Sequence, residues 1–291
     1  MPKPGPEICG DVPLSWADQS RYVLYGLRQI VQSIRQRFTA VPLRMDVENA
    51  DIRHKIEEGA SPLRVYTLAL VQKVLADLPS LDGPICDIGC GSGEQSRFFE
   101  SLKGRSLYLG IDVACHASWP SLAVLDHPLP RRFARMTATE LGIASGRLAL
   151  TFSSSALEHV PDIRQAVAEM ARTMRPGAYG LHILPGVWSL FLYLFHGYRR
   201  FSPAVVTELF QQAGLRVERI WALWGLPSFF LHGVWITWLE TIILRKILNR
   251  GVQMRRGVSL RLYTGLLGLS LRLDPFFPVA PAGYGVLVRK L

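Results

Sequence analysis

The distribution of apolar residues changes at residue 84, where short apolar runs begin to alternate with segments of helical periodicity. Such runs predict buried strands. The seven predicted strands are ICDIG, SLYLGID, RFARMTA, RLALTFSSS, AYGLHIL, LRVERIWAL and, last, YGVLVRKL. Helices are predicted over EQSRFFESL, from Asp162 to Met174, and from Ser202 and Pro203 to Gly214. Strands that alternate with helices predict an α/β fold with a mostly parallel sheet.

The first 60 residues are predicted to form a helical extension ahead of the main domain, residues 61–291. Apolar residues recur at helical spacing over residues 15–38, and Arg21, Arg28 and Arg35 share one face because they are seven apart. Such a basic amphipathic helix either packs on its own domain or lies on an anionic membrane. A polar connector with a short helix follows. Ser61 and Pro62 then open a second helix.

An apolar insertion separates the sixth and seventh predicted strands. No charged residue occurs from Ile220 through Leu239, which is about the length of a membrane span. The first residues of this uncharged run belong to the predicted sixth strand. The remaining segment, Ser228–Leu239, is too short to cross a bilayer. A second apolar piece follows, so we predict a helical hairpin at about 226–273. Its tryptophans and arginines favour a lid that faces a bilayer or grips a lipophilic substrate. A dimer interface and an ordinary substrate cap remain the alternatives.

The net charge, the cysteines and the N-terminal segment indicate the partner and the compartment. The 291-residue chain has a net charge of +10 and a pI of about 9.8, which suits an anionic partner but also an ordinary basic soluble enzyme. The four cysteines form no C-x-x-C pair, which predicts reduced thiols and no zinc or disulfide framework. The start of the sequence lacks the apolar core of a signal peptide, so we expect a cytoplasmic protein.

A glycine-rich turn follows the first predicted strand in the segment CDIGCGSGEQS, with Gly89, Gly91 and Gly93 at alternate positions. Such a turn lets a ligand approach the backbone closely. A dinucleotide-binding turn would place its third glycine where Glu94 stands, and a carboxylate there disfavours a pyrophosphate. The segment also lacks a P-loop lysine. The turn therefore predicts a cofactor without phosphates.

S-adenosylmethionine has this character, because it carries a cationic sulfonium and an amino group but no phosphate. Asp87, just before the turn, can accept a hydrogen bond from the amino group, directly or through water. Asp112 ends the second predicted strand roughly 20 residues past the turn, where an acid can bind both ribose hydroxyls. We therefore predict S-adenosylmethionine as the cofactor.

Four segments in order carry a family resemblance: DIGCGSG, the acid in LGIDVA, FSSSALEHVPD and RPGAYGLHIL. With them the sequence resembles the class I S-adenosylmethionine-dependent methyltransferases, in particular the type 11 group, over residues 84 to about 223 and in the final strand. The resemblance implies a Rossmann-like sheet of seven strands with helices on both faces. It also implies that the last strand is antiparallel and inserted between strands five and six.

The resemblance and the motifs together give a predicted cofactor site. Its residues are Asp87, Gly89, Cys90, Gly91, Gly93, Asp112, Val113, Thr137, Ala138 and Ser153. Two positions depart from the family pattern: Thr137 stands where an acid near the adenine is common, and Ala149 where an aspartate often begins strand four. Adenine recognition would then rely on backbone amides near Thr137 and Ala138. A non-catalytic binding protein with this fold stays open.

His159 is the predicted catalytic residue. Methyl transfer to a hydroxyl benefits from a base, and a neutral imidazole can take a proton near physiological pH. The alternatives are a His159 that only packs the turn, and His182 or His196 as the base. Related ubiquinone-pathway enzymes show E-x-x-E-H here, but Ser155 occupies the first position, so we predict no metal.

The predicted function is methyl transfer from S-adenosylmethionine to oxygen on a small or lipid-linked acceptor. Peripheral membrane contact, at the inner face of the membrane, accompanies this prediction. The positive charge raises a nucleic-acid methyltransferase as the alternative, but SSSA stands where an N-P-P-Y-type element would follow strand four. The acceptor and the oligomeric state stay open.

Overall fold

A computed structural model describes residues 15–36, 40–78, 81–102, 106–123, 129–192, 199–249 and 255–291. These residues form one eight-stranded sheet with helices around it. The strands are β1 Val41–Pro42, β2 Ile85–Ile88, β3 Tyr108–Asp112, β4 Arg131–Arg135, β5 Leu148–Ser154, β6 Met174–Pro185, β7 Leu215–Leu223 and β8 Gly283–Lys290.

The strand order is β1-β7-β8-β6-β5-β2-β3-β4. β8 runs antiparallel to both of its neighbours, β6 and β7, and every other pair is parallel. This confirms the seven predicted strands and the insertion of the last one between the fifth and the sixth. The eighth, β1, was not predicted. It adds two residues at the edge of β7, where the Leu43 amide donates to the Ala222 carbonyl at 3.0 Å.

The helices follow the predicted order. They are α1 Trp16–Gln36, α2 Ala50–Glu57, α3 Pro62–Asp77, α4 Trp119–Leu122, α5 Ile163–Thr173, α6 Pro203–Gln212, α7 Leu226–Leu231 with its π-helical continuation His232–Ile247, and α8 Gly257–Leu273. Shorter 3₁₀ segments are Glu94–Leu102, Leu157–His159, Val187–Phe191 and Asp274–Phe276.

Two predicted helix details differ in the structure. EQSRFFESL is a 3₁₀ helix, so it does not continue the glycine turn as an α-helix. Ser61 precedes α3 in an extended conformation, but its hydroxyl makes no capping bond; Pro62 at the first position determines the helix start.

The core consists of two apolar clusters. One includes Tyr66 of α3, Phe152 of the sheet and Leu267 of α8. The other includes Val167 of α5 and Phe210 of α6, which pack with other residues of the sheet. α3 and α8 thus share one layer, and α5 and α6 share another. The division into residues 1–60 and 61–291 stays a prediction.

The apolar insertion forms a longer helix than the sequence indicated. α7 and its continuation run unbroken from Leu226 to Ile247, and by length and composition alone this segment could cross a membrane. Glu240 directly follows the uncharged run Ile220–Leu239 in the sequence. In the structure Glu240 is buried, with Arg255 Nε 3.0 Å and Trp235 Nε1 3.1 Å from its carboxylate. The carboxylate of Glu240 therefore faces the inside of the molecule.

Candidate functional site

The three glycines of the turn after β2 all have positive φ: +73° at Gly89, +52° at Gly91 and +78° at Gly93. Glycine adopts this region without steric cost. A Cβ on Gly89 would overlap Ala156, and one on Gly93 would overlap the ring of Phe133. A Cβ on Gly91 would meet no atom within 4 Å. The outer glycines thus serve packing, while Gly91 leaves bare backbone beside open space.

Asp112 braces this turn from the end of β3. Its Oδ2 atom accepts from the Gly91 amide at 2.9 Å, and its Oδ1 atom accepts from the Ala114 amide at 3.1 Å. Each carboxylate oxygen has further lone pairs, and 16% of the side chain is exposed. Val113, next to it, is 64% exposed. The carboxylate can therefore accept from a ligand hydroxyl without releasing the turn.

Asp87 lies beneath the turn rather than on its surface. Its side chain is buried and accepts a hydrogen bond from the Tyr108 hydroxyl. Burial raises the pKa of Asp87 to about 7, although the Tyr108 hydrogen bond opposes the shift. Cys90 is buried as well, and burial raises the pKa of its thiol. A cationic group bound nearby would favour ionised Asp87.

The remaining predicted cofactor residues differ in accessibility. Thr137 is exposed, and its hydroxyl lies 2.9 Å from that of Thr139, whereas Ala138 is buried. Ser153 is fully buried, with its hydroxyl 2.9 Å from His182 Nδ1. All ten cofactor assignments stay predictions. The structure brings the turn and Asp112 together and holds Ser153 inside the sheet.

His182 has a structural environment. It is fully buried in β6 and stacks on Phe210 with ring centroids 5.1 Å apart. Burial lowers its pKa to about 3, which makes it a poor proton acceptor at neutral pH. His196, the other alternative base, lies outside the described residues.

A cavity of about 200 Å³ opens at the carboxyl ends of β5, β6 and β7, where ligands of open α/β sheets bind. It is lined by Leu63, Ser155, Glu158, His159, Ile183, Leu184, Pro185, Ser189, Arg200, Trp224, Ala282 and Gly283. The glycine turn lies close to this cavity, because Gly89 packs on Ala156 and the residue before Ala156 in the chain, Ser155, lines the cavity.

Glu158 and His159 lie side by side on this wall. His159 Nε2 is 3.9 Å from Glu158 Oε1, and the two side chains are 33% and 5% exposed. Burial raises the pKa of Glu158 to about 7, while the positive charge of Arg200 opposes the shift. The sequence predicted His159 as a functional residue but did not predict Glu158, Arg200 or Trp224. For Glu158, its place next to His159 was the only sequence signal.

Neither the cavity nor the rest of the described chain brings three or more histidine, cysteine, aspartate or glutamate side chains together as a metal site. S-adenosylmethionine, in contrast, suits the glycine turn on structural grounds. Gly91 offers bare backbone to the ligand, Asp112 offers acceptor oxygens, and the buried carboxyl of Asp87 lies beneath the turn, where it favours a cationic ligand.

Comparison with known proteins connects the turn to a family. Residues 86–181 match the family model described as a methyltransferase domain, type 11. A probable tocopherol O-methyltransferase (chloroplastic) of Oryza sativa subsp. japonica is 33% identical over 97 residues, which are 32% of this chain and 26% of the relative. The match thus spans about a quarter of that relative's length.

Solved structures extend the likeness beyond the matched segment. The [4+2]-cyclase SpnF is 16% identical and superimposes with a TM-score of 0.50 over 96% of this chain and 98% of its own. A SAM-dependent methyltransferase from Methanosarcina mazei is 16% identical, with a TM-score of 0.49 over 75% of this chain and 97% of its own. At such identity the likeness concerns the fold alone. The glycine turn falls within the family match, and the sheet order agrees with it, so residues 86–181 belong to a type 11 methyltransferase domain in the class I S-adenosylmethionine-dependent methyltransferase fold.

Proposed function

We propose that this protein transfers a methyl group from S-adenosylmethionine to an oxygen atom of a small or lipid-linked acceptor. One observation carries the proposal: the same turn contacts Asp112 through Gly91 and packs through Gly89 on Ala156, the neighbour of the cavity-lining Ser155. A donor on the bare backbone of Gly91 would therefore lie next to a cavity that can hold the acceptor. Oxygen as the target draws support from the O-methyltransferase named above.

The bound cofactor supplies an electrophilic methyl group. The residues of this chain align the two reactants, which accounts for much of the catalysis of a displacement reaction. Asp112 holds the donor by its hydroxyl groups, and the cavity holds the acceptor. The predicted base His159 and its neighbour Glu158 both line this cavity, with Nε2 and Oε1 3.9 Å apart, so either side chain can take the acceptor proton.

Calorimetric titration with S-adenosylmethionine, and with its demethylated product, tests the donor site. Asp112→Ala is expected to weaken binding at least tenfold, because a hydrogen bond to a charged group contributes roughly 1.5–3 kcal/mol. Asp46→Ala is the matched control, since Asp46 also accepts a backbone amide, that of Glu48 at 2.9 Å, but far from the turn in sequence. Binding that survives Asp112→Ala would contradict the proposed site.

A folded wild-type protein that binds neither compound, even with lipid vesicles present, would favour a non-catalytic protein. SpnF is named a [4+2]-cyclase, so this fold also occurs outside methyl transfer. The positive charge keeps a nucleic-acid acceptor as the other alternative. Oligonucleotide binding that falls steeply with salt would favour it.

We further propose that the protein works at the cytoplasmic surface of an anionic membrane. The apolar helix surface, as we name the exposed apolar residues of the insertion, supports this. It comprises Phe230, Val234, Trp238, Ile243 and Ile247 on the first helix and Val258, Leu262, Leu266 and Leu269 on α8. Contiguous exposed apolar surface of this kind marks a protein or membrane contact.

The charges beside the apolar helix surface favour a membrane over a protein as its partner. Arg245 and Lys246 near the end of the first helix, and Arg256 and Arg261 at the start of α8, are exposed. Basic residues at one end of an apolar surface suit anionic headgroups above acyl chains. Glu240 does not oppose this, because it faces inward to Arg255. The first helix also bonds to the domain, with Thr237 donating to the Leu192 carbonyl at 2.8 Å, which favours lying along the surface over crossing it.

A further inference from the structure

The cavity wall carries a buried carboxyl oxygen that the fold leaves unused. Glu158 exposes only 5% of its side chain, and its Oε2 atom has no hydrogen-bond partner in the part of the chain that the structure describes. An unsatisfied buried polar atom costs roughly 1–3 kcal/mol. Its position on a cavity wall indicates a partner that enters from the cavity.

Trp224, on the same wall, shows two further features of a functional position. Its indole Nε1 is buried without a hydrogen-bond partner among the described residues, and its φ is +74°. Positive φ is rare for a bulky residue and is concentrated at functional sites. Trp224 offers a donor and Glu158 an acceptor, so a ligand that both donates and accepts suits the wall. A hydroxyl group does both.

The rest of the cavity limits the size and charge of the ligand. Leu63, Ile183 and Leu184 supply apolar walls. Its volume of about 200 Å³ exceeds that of cavities of about 150 Å³ that bind benzene, so one ring fits. Arg200 on the same wall disfavours a cationic amine, which would otherwise compete for the carboxylate.

We propose that Glu158 binds the hydroxyl of an uncharged, ring-sized acceptor and takes its proton during methyl transfer. The proposal rests on the proposed function and names the acceptor class for it. As the acceptor oxygen forms its bond to the methyl carbon, the carbon–sulfur bond of the donor breaks and sulfur keeps the electron pair. The hydroxyl proton passes to the Glu158 carboxylate and later to solvent. His159 then serves as a positioning residue.

The charges around Glu158 determine when it can act. His159 and Arg200 line the cavity together with Glu158. Arg199 donates hydrogen bonds to the carbonyls of Val160 and Pro161, the two residues that follow His159. Burial raises the pKa of Glu158 to about 7 against the effect of Arg200. The carboxylate is therefore present at about pH 8 and mostly protonated at about pH 6.

The test measures binding of 4-fluorophenol and of its methyl ether, 4-fluoroanisole, to the full-length protein by fluorine NMR. The wild type is expected to bind the phenol roughly tenfold or more tightly than the ether at about pH 8, as for a charged hydrogen bond. This preference should shrink at about pH 6. Glu158→Gln should reduce it at every pH. Glu158→Asp, which keeps the carboxylate, should keep its pH dependence.

Three results would overturn the proposal: no binding of either probe, equal binding of both by the wild type, or a preference that Glu158→Gln retains. A preference abolished by His159→Asn but not by Glu158→Gln would assign the role to His159. Titrations run with and without the demethylated cofactor product separate this test from the donor site. A negative result for Glu158 therefore does not affect the conclusion from Asp112→Ala, and a negative result for Asp112→Ala does not affect the conclusion about Glu158.

Discussion

At the scale of single residues, Glu158 determines how stability depends on pH. Its pKa is about 7 in the folded protein and about 4.5 as an ordinary glutamate, so between these values the folded state binds more protons than the unfolded state. The free energy of unfolding must then fall as pH rises from about 4.5 through 7, and level off above. Asp87 acts in the same direction, since burial raises its pKa to about 7.

Glu158→Gln should therefore flatten the pH dependence of stability. A shift of this size corresponds to on the order of 3 kcal/mol at about pH 8, relative to about pH 5. Urea unfolding at a series of pH values measures it. Glu57→Gln, on the exposed face of α2, is the control and should keep the wild-type slope. A slope unchanged by Glu158→Gln would mean that Glu158 ionises normally in the folded protein.

The sequence predicted the glycine turn but not the cavity wall, because the signals for the two differ in kind. Glycine spacing and Asp112 are local signals, because turn and strand end are fixed by the chain nearby. The direction of Glu158 depends on the turn at Ser155, whose φ of +51° is unusual for a serine. Trp224 likewise lines the cavity only because of its positive φ. Neither conformation follows from periodicity.

At the scale of elements, the proposed membrane contact depends on the apolar helix surface. Val234→Asp with Trp238→Asp should reduce sedimentation with phosphatidylglycerol-containing vesicles at least tenfold, because burying each large apolar side chain contributes roughly 1.5–3 kcal/mol. Leu24→Asp with Leu27→Asp makes the matched change on α1, whose exposed apolar residues offer a second surface.

The results of this experiment distinguish the possible explanations of the apolar helix surface. Loss of binding only in the α1 variant would move the contact to the basic amphipathic helix. Equal binding to vesicles of pure phosphatidylcholine would remove the role of Arg245 and Lys246. No vesicle binding by the wild type would leave a dimer interface or a substrate cap as the explanation of the surface.

The helices of the insertion also show what a sequence pattern cannot provide. The apolar run predicted a hairpin, but the sequence did not show that Glu240, just after the uncharged run, would be buried. The partner of Glu240 is Arg255, fifteen residues later, and that pairing depends on how α8 packs. β1 was missed for a similar reason, since two residues in a polar segment carry no alternation and depend entirely on the edge of β7.

At the scale of the whole molecule, the centre of the sheet was predictable because β2 and β5 are buried on both faces and therefore read as apolar runs. The position of β8 was implied only by family resemblance, since no pattern in YGVLVRKL specifies a place between β6 and β7. The central claim is that this sheet presents a methyl-donor site at Gly91. Asp112 and the cavity gain their proposed roles from that site.

The most direct test is calorimetric titration of the demethylated cofactor product into wild type, Gly91→Ala and Gly214→Ala. Both glycines have positive φ, and at both an added Cβ meets no atom within 4 Å, so the two variants should lose similar stability, roughly 1–2 kcal/mol. We expect Gly91→Ala to abolish binding, because its methyl group would occupy the space of the ligand, and Gly214→Ala to bind like wild type. Wild-type affinity in Gly91→Ala would place the cofactor elsewhere and contradict the account.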